Sequence, residues 1–236
     1  MPIAVQRSSW NDDEALFVGL KGGSPSGPHG HMDGGSFVMD TKGVRWAVDL
    51  GAENYNAIEQ RGMSLWNFKQ TSDRWKIFRL GTSSHNVPMI DGCQQNVSGS
   101  AEVVDVRTNG ALSVAKLDLS SLYTNAASVV RMGAMATDGR RYLLRDVFSG
   151  VRPGAQIRWA MMTRADPEIA DGAVTLRQNG QTLRLVQRGA QKGVWTVGSG
   201  QGPEEWDSPN RGCRQLTFTV SATAAGAAEV AVEFSR

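Results

Sequence analysis

The sequence contains few residues of several chemically informative types. Its 236 residues include two cysteines, three tyrosines and three histidines. Cys93 and Cys213 lack the Cys-x-x-Cys spacing of a thiolate metal site, so they form either one disulfide or, as we favour, two thiols. No apolar run reaches the ~18 residues that a membrane-spanning helix needs, and we therefore expect no membrane partner.

The charge balance argues against another class of partner. The chain has 25 basic and 23 acidic residues, a formal net charge of +2, and no basic run stands out. We therefore expect no nucleic-acid partner. The N-terminal residues lack the basic start and apolar stretch of a signal peptide, although a mature form or an excised domain would look the same.

Helical periodicity is scarce, and short alternating or continuous apolar segments take its place. They occur at residues 15–20, 36–39, 44–48, 101–106, 127–132, 141–144, 157–162, 182–186, 216–220 and 229–234. Dipeptides typical of tight turns, such as Asn109-Gly110 and Asn179-Gly180, lie between many of them. Because no long linker or internal repeat is visible, the pattern predicts one all-β domain over residues 1–236, a large antiparallel β-sandwich.

All three histidines lie in the first 90 residues. His29 and His31 form a His-x-His pair in a glycine-rich run, and Asp49 and His85 follow further along the chain. Two imidazoles and one carboxylate suit a divalent metal, most simply zinc with water as a fourth ligand. This set leaves one histidine free for another role.

Strand periodicity suggests how these residues meet. Residues i and i+2 of an extended segment face the same side, so we expect His29 and His31 to face one cleft. Two adjacent antiparallel strands would bring Asp49 beside His31. A further strand over residues 85–90 would add His85.

A purely structural interpretation of these residues is also open. A lone His-x-His pair is a weak metal signal, since buried histidines are more often satisfied by hydrogen bonds. Asp33 would then cap the turn at Gly34-Gly35, and Asp49 would brace the turn at Gly51. The confinement of every histidine to one region favours the metal.

Four short motifs occur together in this part of the chain. They are RSSW (7–10), HGHMDGGSF (29–37), GVRWAVDLG (43–51) and SHN (84–86). In order and approximate spacing they resemble the C-terminal domain of the heparinase II/III family of polysaccharide lyases. The resemblance covers roughly residues 5–90 and implies a β-sandwich that follows an α/α-toroid of helices, with the substrate cleft between the two domains.

The resemblance also implies roles for single residues. His31, Asp49 and His85 match the family's metal ligands, usually for zinc, and His29 matches the histidine that faces the cleft. Tyr55 lies where some members place a cleft tyrosine. The toroid, which carries further catalytic groups in relatives, is not part of this sequence, so we expect the isolated chain to be inactive.

The implied substrate is a polysaccharide that contains uronic acid, of the heparan or the alginate type, cleaved by β-elimination. Trp66 and Lys69, in a polar loop over residues 52–80, are the best candidates for stacking on a sugar and pairing with its acidic groups. Weaker candidates are Trp10, Arg61, Arg74, Trp75 and Lys76. The resemblance further implies a periplasmic or secreted bacterial enzyme.

Two classes of function therefore remain. The first is the metal-supported β-sandwich domain of a polysaccharide lyase, in which the metal fixes the loop that carries His29. The second is a non-catalytic carbohydrate-binding or structural β-sandwich whose metal only holds a loop. A free-standing metallohydrolase ranks third, because no glutamate suited to act as a general base lies near the histidines.

Overall fold

A computed structural model describes residues 1–236, which form an almost purely β structure. The strands are β1 (Ile3–Arg7), β2 (Phe17–Lys21), β3 (Phe37–Thr41), β4 (Val44–Ala47), β5 (Met89–Ile90), β6 (Glu102–Asn109), β7 (Leu112–Asp118), β8 (Ser128–Ala136), β9 (Arg141–Ser149), β10 (Gln156–Thr163), β11 (Asp166–Ala170), β12 (Ala173–Gln178), β13 (Gln181–Gln187), β14 (Thr196–Ser199), β15 (Arg214–Ser221) and β16 (Ala227–Ser235). The helical elements are one short helix, α1 (Tyr55–Glu59), and 3-10 turns at Asp73–Lys76, Thr82–Ser84 and Ser120–Leu122.

The strands form three antiparallel sheets. The largest has eight strands in the order β11-β12-β13-β16-β9-β8-β7-β6. Two four-stranded sheets have the orders β1-β2-β3-β4 and β14-β15-β10-β5. They meet where the backbone N–H of Val48, just after β4, donates to the carbonyl of Met162 in β10 at 2.9 Å. The packing of these sheets is the predicted β-sandwich.

One hydrophobic core of 40 buried residues draws on all three sheets. In β8 the residues alternate strictly between buried and half-buried, as a strand with one face on a core requires. Trp159, Trp195 and Phe218 pack together, with ring centroids 4.7 to 5.7 Å apart. Each fully buried large apolar side chain stabilises the fold by about 1.5–3 kcal/mol, so this core is a firm support for the loops above it.

The predicted apolar segments and turns agree with this structure. Every predicted segment overlaps a strand. Asn179 and Gly180 join β12 to β13, with φ values of 51° and 73°, the left-handed backbone that a two-residue hairpin needs. Local sequence therefore sets the hairpins of the large sheet.

The polar loop predicted over residues 52–80 is also present, within the long connection between β4 and β5. The strand predicted over residues 85–90 is wrong in its first part, because only Met89–Ile90 is paired. Pro88 has no N–H to donate, and the side chain of Asn86 donates to the carbonyls of Phe37 and Val48 at 2.7 and 2.9 Å. Side-chain hydrogen bonds here take the place of a strand ladder.

Both cysteines are free thiols, as favoured from the sequence. Cys93 is exposed and Cys213 is buried, and they do not pair with each other. No helix has the length and apolar character needed to cross a membrane.

Candidate functional site

The two histidines of the His29-Gly30-His31 run face different surroundings. His29 has a left-handed φ of 56° and is exposed, whereas His31 is only 8% exposed. The left-handed residue interrupts the extended backbone, so the expectation that both rings face one cleft does not hold. Gly30 permits this tight path, because a β-carbon there would overlap the carbonyl oxygen of Pro25.

His31 and His85 form a buried pair, with ring centroids 5.4 Å apart. Ligand atoms of His31, Asp33 and His85 all lie within 4.8 Å of one another. The Nε2 atom of His85 is buried and has no hydrogen-bond partner. Leaving such an atom unsatisfied costs about 1–3 kcal/mol, and a divalent metal would remove that cost. The group therefore has the chemistry of a metal site.

Asp49 joins the pair through His85. Its Oδ2 lies 2.9 Å from Nδ1 of His85, and its Oδ1 accepts the backbone N–H of Gly51 at 2.9 Å. Asp49 thus braces the turn at Gly51, as the structural interpretation expects. Nδ1 and the unpartnered Nε2 lie on different edges of the His85 ring. An ion bound between Asp49 and Nδ1 would have to replace this hydrogen bond, with its two ligand atoms about 3.4 Å apart, whereas an ion on Nε2 would have Asp49 as an outer partner.

Asp33 was expected only as a turn cap. It is buried beside the two histidines and forms an ion pair with the ammonium of Lys21. Ser36 closes the turn through the backbone carbonyl of Asp33, so the carboxylate is not the cap. The sequence does contain a signal for this placement, a carboxylate two residues after His31, but the interpretation of Asp33 as a turn cap obscured it.

Burial and charge set the protonation of this cluster. Burial, aided by the positive charges of His85 and Lys21, lowers the pKa of His31 to about 3. Burial also opposes protonation of His85, but the charge and hydrogen bond of Asp49 outweigh it and raise the pKa of His85. Burial works against ionisation of Asp49, yet the charge and hydrogen bond of His85 bring its pKa below the usual range. At neutral pH His31 is therefore neutral and Asp49 ionised, the protonation states that binding of a metal requires.

A partly exposed aromatic cluster surrounds His29. Its ring stacks on Tyr55 at 5.8 Å, with an interplanar angle of 4°, and meets Trp66 edge-on at 5.5 Å. Tyr55 and Trp66 lie 5.4 Å apart and nearly perpendicular. Three residues predicted for catalysis or substrate binding therefore come together, although Trp66 is 37 positions from His29 and no strand pairing links them.

Helix α1 places two members of this cluster. The side chain of Asn54 caps the helix by accepting the backbone N–H of Ala57, which fixes Tyr55 as the first helical residue. At the other end of the helix, Glu59 accepts the indole N–H of Trp66 at 2.7 Å. The cluster is thus tied to a defined helix and not only to loop backbone.

Comparison with known families adds to this geometry. A family model described as "Heparinase II/III-like, C-terminal" matches residues 9–232, nearly the whole chain. The chain belongs to this family. The match extends well beyond the motif-bearing residues 5–90, so the strand-rich remainder is part of the same domain type.

Solved structures with the fold of this heparinase II/III-like domain include heparan sulfate lyase HepC from Pedobacter heparinus. That structure has a TM-score of 0.75 and 16% identity over 99% of this chain and 34% of its own. A heparinase III gene product has a TM-score of 0.73 and 17% identity over 99% of this chain and 34% of its own. A further heparinase III has a TM-score of 0.74 and 13% identity over 98% of this chain and 35% of its own. The chain spans about a third of the length of these proteins, and at such identities the likeness is one of fold. No curated protein sequence matches the chain.

The remaining substrate candidates of this heparinase II/III-like domain differ in exposure. Lys69 is exposed, its ammonium has no ion-pair partner, and it lines a cavity of about 700 Å³ with Gln94 and Asn96. Arg74 and Trp75 are 0% and 3% exposed. These two buried side chains cannot touch a substrate, so their proposed sugar contacts are wrong.

One buried ion pair, which the sequence did not reveal, holds the segments that carry Asp33 and His85 on the core. Nη1 of Arg131, in β8, donates to the carbonyls of Gly35 and Asn86 at 2.6 and 2.7 Å. Asp146, in β9, accepts from the same guanidinium at 2.7 and 2.8 Å. The segments that carry Asp33 and His85 are therefore fixed to the large sheet.

Proposed function

We propose that this chain is the β-sandwich domain of a polysaccharide lyase that cleaves a uronic-acid polysaccharide by β-elimination. The observation that carries the proposal is the cluster of the exposed His29 and Trp66 with the half-buried Tyr55, in which only Gly30 separates His29 from the buried His31. This arrangement joins proton-transfer groups and an aromatic surface to a candidate metal site. The fold shared with heparan sulfate lyases supports the substrate class.

The reaction needs groups of this kind. A base removes the proton from C5 of the uronic acid, the C4–O bond breaks, the electron pair forms a C4=C5 double bond, and an acid protonates the departing oxygen. Because the C5 proton is only weakly acidic, the neighbouring carboxylate must be neutralised to stabilise the enolate-like state. The imidazole of His29 is exposed and the phenol of Tyr55 is half-buried beside it, and both groups are able to exchange protons with a substrate.

We assign a divalent metal, zinc, to His31, Asp49 and His85. The charge of Asp49 acts on both histidines, whereas that of Asp33 acts on His85 and is shared with the ammonium of Lys21. The bound ion would tie the loop of His31 to His85 and so fix the backbone that presents His29. In this proposal the metal supports the loop, and the residues of the cluster do the chemistry.

Substrate contacts follow from exposure. Trp66 is 51% exposed and offers a face on which a sugar ring can stack, and the unpaired ammonium of Lys69 suits a carboxylate or sulfate. We propose that an α/α-toroid elsewhere in a longer chain forms the opposite wall of the cleft. A polysaccharide of the heparan or alginate type and a periplasmic or secreted bacterial enzyme complete the proposal.

The test uses the full-length enzyme and a panel of uronic-acid polymers, with ultraviolet absorbance of the unsaturated product as readout. His29→Asn keeps a residue that tolerates left-handed backbone but removes the imidazole, so we expect kcat/KM to fall about 10²-fold or more at unchanged metal content. Val194→Ala, at an exposed apolar residue outside the cluster, is the control and should retain activity. Full activity in His29→Asn, or no cleavage of any polymer, would refute the proposal.

The exposed aromatic surface also favours a second function, non-catalytic carbohydrate binding. In that case the full-length protein would bind one of the polymers without releasing unsaturated product. Trp66→Ala would weaken this binding, while His29→Asn would leave it unchanged. The same panel of polymers therefore separates the two functions.

A further inference from the structure

Arg74 is a buried cation without an anion. It is 0% exposed, and its guanidinium donates to backbone carbonyls and forms no ion pair with a carboxylate. An unpaired charge in a protein interior is costly unless other polar groups compensate it. The contacts of the Arg74 guanidinium must therefore offset the cost of burying its charge.

Those contacts join the two loops of the aromatic cluster. Nη2 of Arg74 donates to the carbonyl of Gly30 at 2.7 Å, and Nη1 donates to the carbonyl of Leu65 at 2.9 Å. Gly30 directly follows His29, and Leu65 directly precedes Trp66. One planar guanidinium thus fixes the backbone next to two of the three cluster residues.

The third member is held by packing. The guanidinium lies 5.9 Å from the ring centroid of Tyr55, and 4.7 and 5.3 Å from those of Phe68 and Trp75. Contacts of this kind with aromatic faces stabilise a desolvated cation by ~2 kcal/mol. Nε of Arg74 has no partner, so the two carbonyls and the rings provide all of the compensation.

We infer that Arg74 is the positioning residue of the cluster: it sets the separation of the His29 and Trp66 loops over Tyr55. A role of Arg74 in catalysis rests on the proposed function, whereas its positioning of the cluster rests only on the contacts within this chain. Lysine cannot replace it fully, because an ammonium lacks the planar fork that reaches two carbonyls in fixed directions.

The test is histidine NMR on the zinc-loaded 236-residue chain. Only three histidines are present, and the signals that disappear in His29→Asn identify His29. Because its ring lies against two aromatic rings, the ring protons of His29 should be displaced by ring currents from their values in a flexible peptide. In Arg74→Met we expect more than half of that displacement to disappear, while the His85 signals stay in place.

Two further variants test the same role of Arg74. Arg74→Lys retains the charge and most of the packing, so it should fold and lose part of the displacement even if Arg74→Met does not fold. Arg79→Met is the matched control, because Arg79 donates to the carbonyl of Ala52 in the same long connection without touching the cluster. It should leave the His29 signals unchanged.

Unchanged His29 signals in both Arg74 variants would overturn the inference. So would an equal loss in Arg79→Met, which would indicate general loosening of the connection. Since the readout needs no substrate, a full-length enzyme without eliminase activity would count against the proposed function and not against the role of Arg74.

Discussion

The assignment of Asp49 as the third metal ligand can be tested against Asp33. A structural zinc site of four ligands binds with about 10–16 kcal/mol, or roughly 3 kcal/mol for each ligand. Removing a true ligand should therefore weaken zinc binding by about 100-fold, at 1.4 kcal/mol per tenfold change. We expect this loss for Asp49→Asn.

Asp33→Asn should behave differently. It leaves the ammonium of Lys21 unpaired near the metal, and we expect a loss of about tenfold or less, comparable to that of an outer partner. The double variant Lys21→Met/Asp33→Asn removes both charges and should bind zinc nearly as wild type. Asp40→Asn, at an ion pair with Arg45 on the surface, is the background control.

Thermal unfolding offers a direct assay. At a zinc concentration 100 times the Kd, the ion stabilises the folded chain by about 2.7 kcal/mol, and after a 100-fold loss of affinity by only about 0.4 kcal/mol. For 236 residues the unfolding entropy is roughly 0.5 kcal/mol/K, so zinc should raise the Tm by about 5 °C in wild type and about 1 °C in Asp49→Asn. A zinc-induced shift that survives in Asp49→Asn and vanishes in Asp33→Asn would refute the assignment.

Four further outcomes are expected. Zinc affinity should fall about tenfold per pH unit below the raised pKa of His85, because a proton then competes with zinc for that ring. His31, with its pKa of about 3, binds no competing proton above pH 4. Chelator competition between pH 8 and 5 measures the zinc affinity, and an affinity that does not change with pH would contradict this expectation. The metal-free chain should show the opposite sign, losing the stability of the His85 ion pair as pH rises through the same pKa. Arg131→Met should lower the free energy of unfolding, measured in urea, by about 3–5 kcal/mol, because it leaves Asp146 buried without its partner. Adding Asp146→Leu to the same chain should restore most of that free energy. No recovery would show that the hydrogen bonds of Arg131 to the loops contribute more stability than the ion pair. Trp66→Ala should raise KM of the full-length enzyme about tenfold with a smaller effect on kcat, and an unchanged KM would remove Trp66 from the substrate site.

The strands were predictable because their determinants are local. Alternating apolar residues along β8 or β16 mark one buried face, and Asn179-Gly180 supplies its own turn. The buried pairing of His31 with His85 was also predictable, though only through a resemblance between short motifs.

The geometry around the histidines was not predictable from such patterns. The left-handed backbone of His29 and the burial of Arg74 depend on contacts between distant segments. Arg131 donates to a carbonyl 96 positions away, and nothing in the local sequence indicates that it supports the segments that carry Asp33 and His85. Periodicity also placed Asp49 beside His31, whereas the folded chain places it on His85.

Gly30 has a consequence for how this protein can vary. Any side chain at position 30 would collide with the carbonyl of Pro25, and the carbonyl of Gly30 itself accepts from Arg74. In a saturation mutagenesis screen, position 30 should therefore accept no substitution, whereas position 29 should accept asparagine or glycine with folding intact. The peptide between the exposed and the buried histidine thus tolerates little variation, and this surface can diversify only through residues that do not share it.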